Sequence, residues 1–297
     1  MTLNFTKMHG CGNDYIYVDG FREKIADPNA AAIKLSDRHF SVGGDGLIMV
    51  CPSDVADAKM RMFNADGSEG KMCGNGVRCV AKFVYDNGIS KKNPLEIETL
   101  SGIKTVRLFF GEDGTVSGAA VDMGKPDFEP ATIPIRSEKC VIGEKVTVGG
   151  EPRRISCVSM GNPHCVIFVP AEFELWSFDI EKTGSKIECD SFFPEKANVE
   201  FVKKTGENAF EMRVWERGSG ETFACGTGAC ASAVAAVLNG YCKHDEEILI
   251  HLRGGDLTIV YRSDETVLMK GPAAFICDGT VDDQYINELK ENAVCRS

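Results

Sequence analysis

The sequence lacks the features that would assign it to a membrane, a secretory route or a nucleic-acid partner. No apolar run approaches the roughly 18 residues of a membrane-spanning helix. The first ten residues show no basic region followed by an apolar stretch, as a signal peptide would. Lysine and arginine total 33 against 44 acidic residues, and the net charge of −11 disfavours nucleic acid or an anionic membrane surface as a partner. We therefore expect a cytoplasmic globular protein that acts on a small molecule.

Histidine is scarce, and the common metal and redox motifs of cysteine are missing, although cysteine itself is abundant. The chain has 13 cysteines and 5 histidines but no C-x-x-C pair. Thirteen is odd, so the cysteines cannot all pair within one chain, and a cytosolic chain keeps its thiols reduced. The spacings of Cys73 from Cys79 and of Cys225 from Cys230 are longer than those of zinc knuckles. We expect neither a metal nor a cofactor. The alternatives to a catalytic role are that these cysteines are only structural, form a redox pair or bind a metal.

Two cysteine-glycine segments of the same form lie 152 residues apart in the chain. The first reads C-G-N-G from Cys73, the second reads C-G-T-G from Cys225, and each stands at the start of a helical pattern. Residues 45–50 match residues 197–202 at the same offset, and the pair Gly12-Asn13 matches Gly161-Asn162 at an offset of 149. Three blocks in one order at nearly one offset indicate that the chain consists of two similar halves.

Short strand-like runs dominate the rest of the sequence, and helical patterns cover residues 28–39, 74–87 and 226–239. The last of these is apolar or small almost all round, which is typical of a helix buried on every side. We predict an α+β fold with two pseudo-symmetric halves, each a curled mixed or antiparallel sheet wrapped around a central helix, and an active site in the cleft between them. The predicted halves are residues 1–124 with 275–297 on the Cys73 side, and residues 125–274 on the Cys225 side.

A cysteine at the start of a helix is chemically unusual. It lies near unpaired backbone N–H groups and the positive end of the helix dipole, both of which favour the thiolate. Glycines beside it let a ligand approach those N–H groups, and two such helix starts would suit a carboxylate. If Cys73 and Cys225 flank one carbon atom, one thiolate can remove its proton while the opposite thiol returns a proton to the other face. The pattern therefore predicts racemisation or epimerisation.

Nearly the whole chain also resembles a known family, the cofactor-independent diaminopimelate epimerases. The resemblance lies in K-M-H-G-C-G-N-D at residues 7–14, F-N-A-D-G-S-E at 63–69 and C-G-N-G at 73–76. It continues in G-N-P-H-C at 161–165, A-N-V at 197–199 and W-E-R-G-S-G-E-T at 215–222, and it ends in A-C-G-T-G at 224–228. The family converts LL-diaminopimelate to the meso isomer on the route to lysine and peptidoglycan precursors.

The resemblance implies a role for each matching residue. Cys73 and Cys225 are the expected acid–base thiols, with His164 and Glu216 beside them as groups that help set their protonation. Gly74, Asn75, Gly226 and Thr227 are expected to offer backbone N–H groups to the carboxylate at the reacting centre. The expected substrate-binding side chains belong to Asn13, Asn64, Asn162, Asn198, Glu216 and Arg217.

One position departs from the family pattern. Many members carry glutamine where this chain has Gly46, which has no side chain to offer a substrate. A racemase of the same architecture for another amino acid, such as proline or hydroxyproline, is the alternative function. The expected substrate-binding side chains argue against this alternative, because asparagines and an arginine suit a second amino-acid group at the far end of a substrate. A homodimer is a further expectation.

Overall fold

A computed structural model of the chain describes residues 2–282 and Tyr285, and the fold is α+β. No helix among these residues is long and apolar enough to cross a membrane. The helices are α1 (Pro28–Ser36), α2 (Gly74–Asp86), α3 (Ile180–Glu188) and α4 (Gly226–Leu238). The strands are β1 (Thr2–Gly10), β2 (Asn13–Asp19), β3 (Gly46–Cys51), β4 (Ala58–Asn64), β5 (Glu69–Gly70), β6 (Leu95–Thr99), β7 (Gly102–Phe110), β8 (Val116–Asp122), β9 (Glu144–Val148), β10 (Glu151–Ser159), β11 (Pro163–Val169), β12 (Asn198–Lys204), β13 (Ala209–Glu216), β14 (Gly220–Glu221), β15 (Ile248–Leu252), β16 (Gly255–Tyr261), β17 (Val267–Pro272) and β18 (Ala274–Asp282).

The chain divides into two compact units. The first contains the residues up to Val121 and those from Pro272 onward, and the second is Asp122–Gly271. The sequence placed the corresponding boundaries after residues 124 and 274. Residues 283, 284 and 286–297, which the prediction assigned to the N-terminal half, lie outside the described residues.

The sheet of the first unit mixes parallel and antiparallel pairs. Strands run in the order β18-β1-β2-β3-β4-β6-β7-β8, with β2–β3 and β4–β6 parallel and the other pairs antiparallel. The short strand β5 adds to β4 immediately before Cys73. Helix α2 contacts β1, β2, β3, β4, β6 and β7, so this sheet curls around it. Helix α1 packs on β3 and β4 through a core that contains Ala31, Leu35 and Phe63.

The second unit repeats this topology. Its strands run β9-β10-β11-β12-β13-β15-β16-β17, with β11–β12 and β13–β15 parallel and the other pairs antiparallel. The two-residue strand β14 adds to β13 before Cys225, as β5 adds to β4 before Cys73. Helix α4 contacts β10, β11, β12, β15 and β16. The predicted pair of similar halves, each a sheet around a central helix, is confirmed.

The two central helices are buried, as the sequence predicted for α4. In α4 only Thr227 and Leu238 are not buried. In α2 the burial extends to Arg78, which is fully covered. Its guanidinium donates hydrogen bonds to the carbonyl groups of Gly74 and Pro272. A buried charge of this kind persists only with hydrogen-bond partners.

Two helix predictions need correction. The pattern predicted a helix to His39, but α1 ends at Ser36 because Asp37 is extended and its carboxylate accepts from the N–H groups of His39 and Phe40. The sequence analysis did not predict α3, whose central Gly184 weakens the helical pattern. A Cβ at Gly184 would lie 2.6 Å from Cβ of Trp215, so the glycine lets α3 pack against β13.

Candidate active site

Cys73 is the N-cap residue of α2. Its backbone is extended, with φ −123° and ψ 122°, and its sulfur accepts a hydrogen bond from the Gly76 N–H at 3.4 Å. The thiol donates to Oδ1 of Asn13 at 3.1 Å, an interaction that joins the start of α2 to the start of β2. The predicted helix-start thiol and the predicted asparagine therefore lie side by side in the first unit.

Cys225 caps α4 with the same geometry. Its φ and ψ are −113° and 107°, and its sulfur accepts from the Gly228 N–H at 3.4 Å. Thr227 Oγ1 lies 3.4 Å from the same sulfur. Backbone N–H groups at a helix start attract anions, so each unit presents a sulfur together with a small anion-binding turn.

Charged groups fix the orientation of the Asn13 side chain beside Cys73. Nδ2 of Asn13 donates to Asp45 at 2.7 Å, and Arg38 pairs with Asp45 at 2.7 Å and with Asp14 at 2.6 Å. Burial raises the pKa of Asp14, but the hydrogen bonds from Arg38 and Lys7 outweigh it and lower that pKa overall. Asp45 thus fixes the amide so that Oδ1 of Asn13 faces the thiol.

Tyr15 is a site residue that the sequence analysis missed. It is buried two residues beyond Asn13 on strand β2, and its pKa lies well above 10.0 because of burial first and then the nearby Cys73 and Asp45. An ideal Cβ at Gly46 would lie 2.9 Å from the Tyr15 ring and 2.1 Å from the Phe63 carbonyl oxygen. The departure at Gly46 therefore has a steric reason, since the ring and the β4 backbone occupy the space of a side chain.

The second unit surrounds its thiol with a chain of hydrogen bonds. His164 is fully buried, and its Nε2 lies 3.0 Å from Oδ1 of Asn162. Nδ2 of Asn162 donates to Thr227 Oγ1 at 3.3 Å, next to the sulfur of Cys225. The other ring nitrogen, Nδ1, lies 2.6 Å from Glu200 Oε1. Glu200 was also missed, although a glutamate inside the apolar run of β12 was a visible signal.

Glu216 lies beside Cys225, as the resemblance implied. It accepts a hydrogen bond from the Thr222 hydroxyl and is hydrogen-bonded to the Cys225 thiol. Burial raises the pKa of Glu216, and the charge of Glu200 adds to this effect. The structure brings Asn162, His164, Glu216 and Thr227 together around Cys225.

The expectation that a helix start lowers the thiol pKa is wrong for Cys225. Burial raises that pKa well above 9.0, and the charges of Glu216 and Glu200 raise it further. The hydrogen bonds from Thr227 and from the Gly228 N–H act in the opposite direction but are outweighed. Cys225 is therefore set to hold its proton at neutral pH.

Asn198 and Arg217 form a second cluster in the same unit. The Asn198 side chain donates to the Pro163 carbonyl and accepts from the Arg217 backbone N–H, both at 2.9 Å. The Arg217 side chain is exposed and donates to the Glu195 carbonyl at 3.2 Å. An exposed guanidinium next to a fixed amide can bind a carboxylate.

Two predicted residues of the first unit have other side-chain partners. Asn64 ends β4 opposite Gly46, and its amide donates to the Ser68 hydroxyl at 2.9 Å. Asn75 is buried, and its Oδ1 accepts from Arg78 at 2.9 Å. The prediction for Asn75 concerned its backbone N–H group, so a side chain that contacts Arg78 does not conflict with it.

Comparison with known proteins identifies the family of the chain. A sequence model described as diaminopimelate epimerase matches residues 5–129 and 156–276. The diaminopimelate epimerase of Agathobacter rectalis is 48% identical over 289 residues, which cover 94% of this chain and 99% of that protein. The diaminopimelate epimerase of Methanococcus maripaludis strain S2 is 50% identical over 282 residues, which cover 94% of this chain and all of that protein.

Solved structures with low sequence identity share the fold. A phenazine biosynthesis protein of the PhzF family from Bacillus anthracis aligns with a TM-score of 0.71 and 18% identity, covering 95% of this chain and 99% of that one. A probable proline racemase from Agrobacterium radiobacter aligns with a TM-score of 0.69 and 12% identity, covering 96% and 95%. The family match and the close relatives both extend over most of the sequence, and the chain therefore belongs to the diaminopimelate epimerase family.

Proposed function

We propose that this protein, an isomerase of the diaminopimelate epimerase family, converts LL-2,6-diaminopimelate to the meso isomer by two-base proton transfer. The observation that carries the mechanism is the pair of equivalent thiols, since Cys73 and Cys225 cap matching helices in two units of one topology. Inversion of a carbon without a cofactor needs a base on one face and an acid on the other. One thiol from each unit meets that need.

In the proposed reaction one thiolate removes the α-proton and the other thiol protonates the opposite face. The sulfur–hydrogen bond formed at one cysteine replaces the one broken at the other, so the enzyme returns to rest by exchanging protons with solvent. In the reverse direction the two cysteines exchange roles. The high pKa of Cys225, which burial and nearby carboxylates produce, suits it to the role of acid for the first step.

The helix starts are proposed to bind the carboxylate at the reacting carbon. Gly74 and Asn75 in α2 and Gly226 and Thr227 in α4 occupy the first turns, the part of a helix at which backbone N–H groups bind anions. Removing the α-proton moves negative charge onto the carboxylate, and preorganised N–H groups stabilise that charge.

The charged and polar groups of the substrate, at both of its ends, are proposed to lie against a set of polar side chains. Asn13, Asn64, Asn162 and Asn198 offer amides, Glu216 offers a carboxylate and Arg217 offers an exposed guanidinium. This set favours diaminopimelate over proline or hydroxyproline, because a cyclic amino acid has no second ammonium and carboxylate to occupy it.

Cell location and assembly are part of the proposal. Thiols used as acid and base must stay reduced, which favours the cytoplasm as the place of work. The enzyme would act there in lysine biosynthesis as a homodimer. Light scattering on the purified protein tests the dimer, and a single-chain mass would refute it.

Hydrogen exchange tests the reaction. LL-diaminopimelate incubated with reduced enzyme in deuterium oxide, without any added cofactor, should gain deuterium at the α-carbon and become the meso isomer. Exchange is read by mass spectrometry and inversion by chromatography. Neither change with folded enzyme would refute the function, whereas activity on proline in its place would favour the racemase alternative.

Single-thiol variants test the two-base mechanism. Cys73→Ala and Cys225→Ala should each lower epimerisation by at least about 100-fold, the usual contribution of a general acid or base. In each variant the remaining thiol should still exchange the α-proton on its own face of the carbon with deuterium. The two variants should therefore introduce deuterium into different isomers of diaminopimelate. Cys189→Ala, at an exposed cysteine outside the site, is the control and should keep full activity. Full activity in either single-thiol variant would refute the mechanism.

A further inference from the structure

Glu200 is a buried charge in the middle of an apolar strand. Its side chain is fully covered, and its neighbours along β12 are Val199 and Phe201. Oε2 is buried without a hydrogen-bond partner among the residues that the structure describes. A buried carboxylate with one unsatisfied oxygen costs stability, so its presence calls for another explanation.

The first unit has an apolar residue at the corresponding position. Residues 48 and 200 lie at the repeat offset of 152, and each side chain reaches the helix-start glycine of its own unit. A Cβ at Gly76 would meet Ile48 Cδ1 at 2.8 Å, and a Cβ at Gly228 would meet Glu200 Oε1 at 2.8 Å. The fold therefore tolerates an apolar side chain here, and the carboxylate is particular to the Cys225 unit.

A continuous series of hydrogen bonds leads from Glu200 to the sulfur. Glu200 Oε1 lies 2.6 Å from His164 Nδ1, and His164 Nε2 lies 3.0 Å from Asn162 Oδ1. Asn162 Nδ2 donates to Thr227 Oγ1 at 3.3 Å, and that oxygen lies 3.4 Å from Cys225 Sγ. His164 and Glu200 are both fully buried, so water does not compete for their contact.

The donors along this series all point toward the sulfur. The amide oxygen of Asn162 can only accept, so His164 Nε2 must carry a proton. The amide nitrogen donates to the Thr227 oxygen, which leaves the single hydroxyl hydrogen of Thr227 directed at Cys225. If Nε2 lost its proton, the Asn162 amide would turn over and take the Thr227 hydrogen for itself.

We propose that Glu200 is a positioning residue that keeps a proton on His164 Nε2 and thereby directs the Thr227 hydroxyl at the Cys225 sulfur. With Nε2 protonated, the 2.6 Å contact at Nδ1 needs one more proton, shared between Nδ1 and Oε1. A hydroxyl aimed at sulfur stabilises the thiolate that forms when Cys225 gives up its proton. Cys73 has a different neighbour, because its thiol donates to the amide oxygen of Asn13.

The catalytic part of this inference rests on the proposed function of Cys225, but the position of the proton does not. Nitrogen-15 NMR of the histidine-labelled protein reads the protonation of each ring nitrogen directly. In the wild-type protein we expect Nε2 of His164 to carry a proton, as its contact with the Asn162 amide oxygen requires. Glu200→Met should leave a single ring proton that divides between the two nitrogens. An unprotonated Nε2 in the wild-type protein would overturn the inference, whatever the activity tests show.

A matched variant controls for the loss of a carboxylate beside a histidine. His251 Nδ1 lies 2.9 Å from Asp256 Oδ1 in the same unit, at an exposed pair on neighbouring strands. Asp256→Asn should shift the signals of His251 and leave those of His164 and the epimerisation rate unchanged. A similar loss of rate in Asp256→Asn and Glu200→Met would contradict a specific role of Glu200.

A double-mutant cycle tests the route from Glu200 to the thiol. Glu200→Met and Thr227→Val should each lower kcat roughly tenfold, the size expected for one hydrogen bond to a charged group. The double variant should be no slower than the slower single variant, because both changes remove the same donor. If the two losses of kcat multiply in the double variant, the route through Thr227 is refuted. If Glu200→Met does not fold, Glu200→Gln replaces it in the cycle, and the NMR result for the wild-type protein still decides the inference.

Discussion

Arg213 holds Glu221 by a two-point ion pair, with Nε to Oε1 at 2.7 Å and Nη2 to Oε2 at 3.1 Å. The first unit contains the matching pair, in which Arg61 meets Glu69 at 2.8 Å and 3.1 Å. Both arginines and both glutamates lie at the repeat offset of 152 residues. Each pair joins the short strand before the helix-start cysteine to its neighbouring strand, so the repeat includes the residues that support the thiols as well as the thiols themselves.

The two ion pairs should differ in their contribution to stability. Arg213 is 8% exposed and also donates to the carbonyls of Leu175 and Phe178, whereas Arg61 is 37% exposed. Arg213→Met takes this donor from the Leu175 and Phe178 carbonyl groups, while Glu221 keeps Arg253 at 2.9 Å, and it should lower the free energy of unfolding by roughly 2–3 kcal/mol. Arg61→Met should cost about 1 kcal/mol or less. Denaturant unfolding measures both, and equal losses would contradict the role of burial.

Gly46 should reject any side chain. A Cβ there would lie 2.1 Å from the Phe63 carbonyl oxygen, so Gly46→Ala must move the β4 backbone and should cost about 1–3 kcal/mol. Gly206→Ala is the control, since the nearest atom to its new Cβ is Cβ of Ala209 at 3.3 Å. Thermal unfolding compares the two variants. If Gly46→Ala were as stable as the control, the steric reason for this glycine would be wrong.

Much of this architecture could be predicted because the repeat and the helix-start cysteines are visible in the sequence. Helix α3 could not, since Gly184 breaks its pattern and is explained only by the Trp215 side chain packed against it. Tyr15 and Glu200 were missed for a related reason. A tyrosine in a strand is ordinary by itself, and a glutamate in an apolar strand is unusual but does not reveal its partner. Only the fold brings Tyr15 to Cys73 and Glu200 to His164.

Asp45 should support substrate binding through Asn13. Its carboxylate accepts from Asn13 Nδ2 at 2.7 Å and fixes which end of that amide faces Cys73. Asp45→Ala should therefore raise KM for LL-diaminopimelate about tenfold or more, as expected for losing a hydrogen bond to a charged group. Asp113→Ala is the control, because it removes a turn aspartate that accepts hydrogen bonds from Thr115, and it should leave KM unchanged. An unchanged KM in Asp45→Ala would refute the supporting role.

The thiol of Cys225 should ionise only in alkaline solution, because burial and then the charges of Glu216 and Glu200 raise its pKa well above 9.0. Thiolate absorbance, taken as the difference between the wild-type protein and Cys225→Ala, should appear only above that pH. Glu216→Gln removes one of the charges that oppose the thiolate, so it should move the titration to lower pH. An unchanged titration in Glu216→Gln would show that Glu216 does not act on the thiol.

Glu216 should also make stability depend on pH. Its pKa in the folded protein is raised above 4.5 by burial, so between 4.5 and the raised value the folded protein binds more protons than the unfolded chain. The free energy of unfolding must then fall as the pH rises through this range. Glu216→Gln carries no charge to bury, so its melting temperature at neutral pH should exceed that of the wild-type protein. The gain should shrink as the pH falls below 4.5, where Glu216 is protonated in both states. A gain that stays constant with pH would mean that the substitution acts through packing and not through the buried charge.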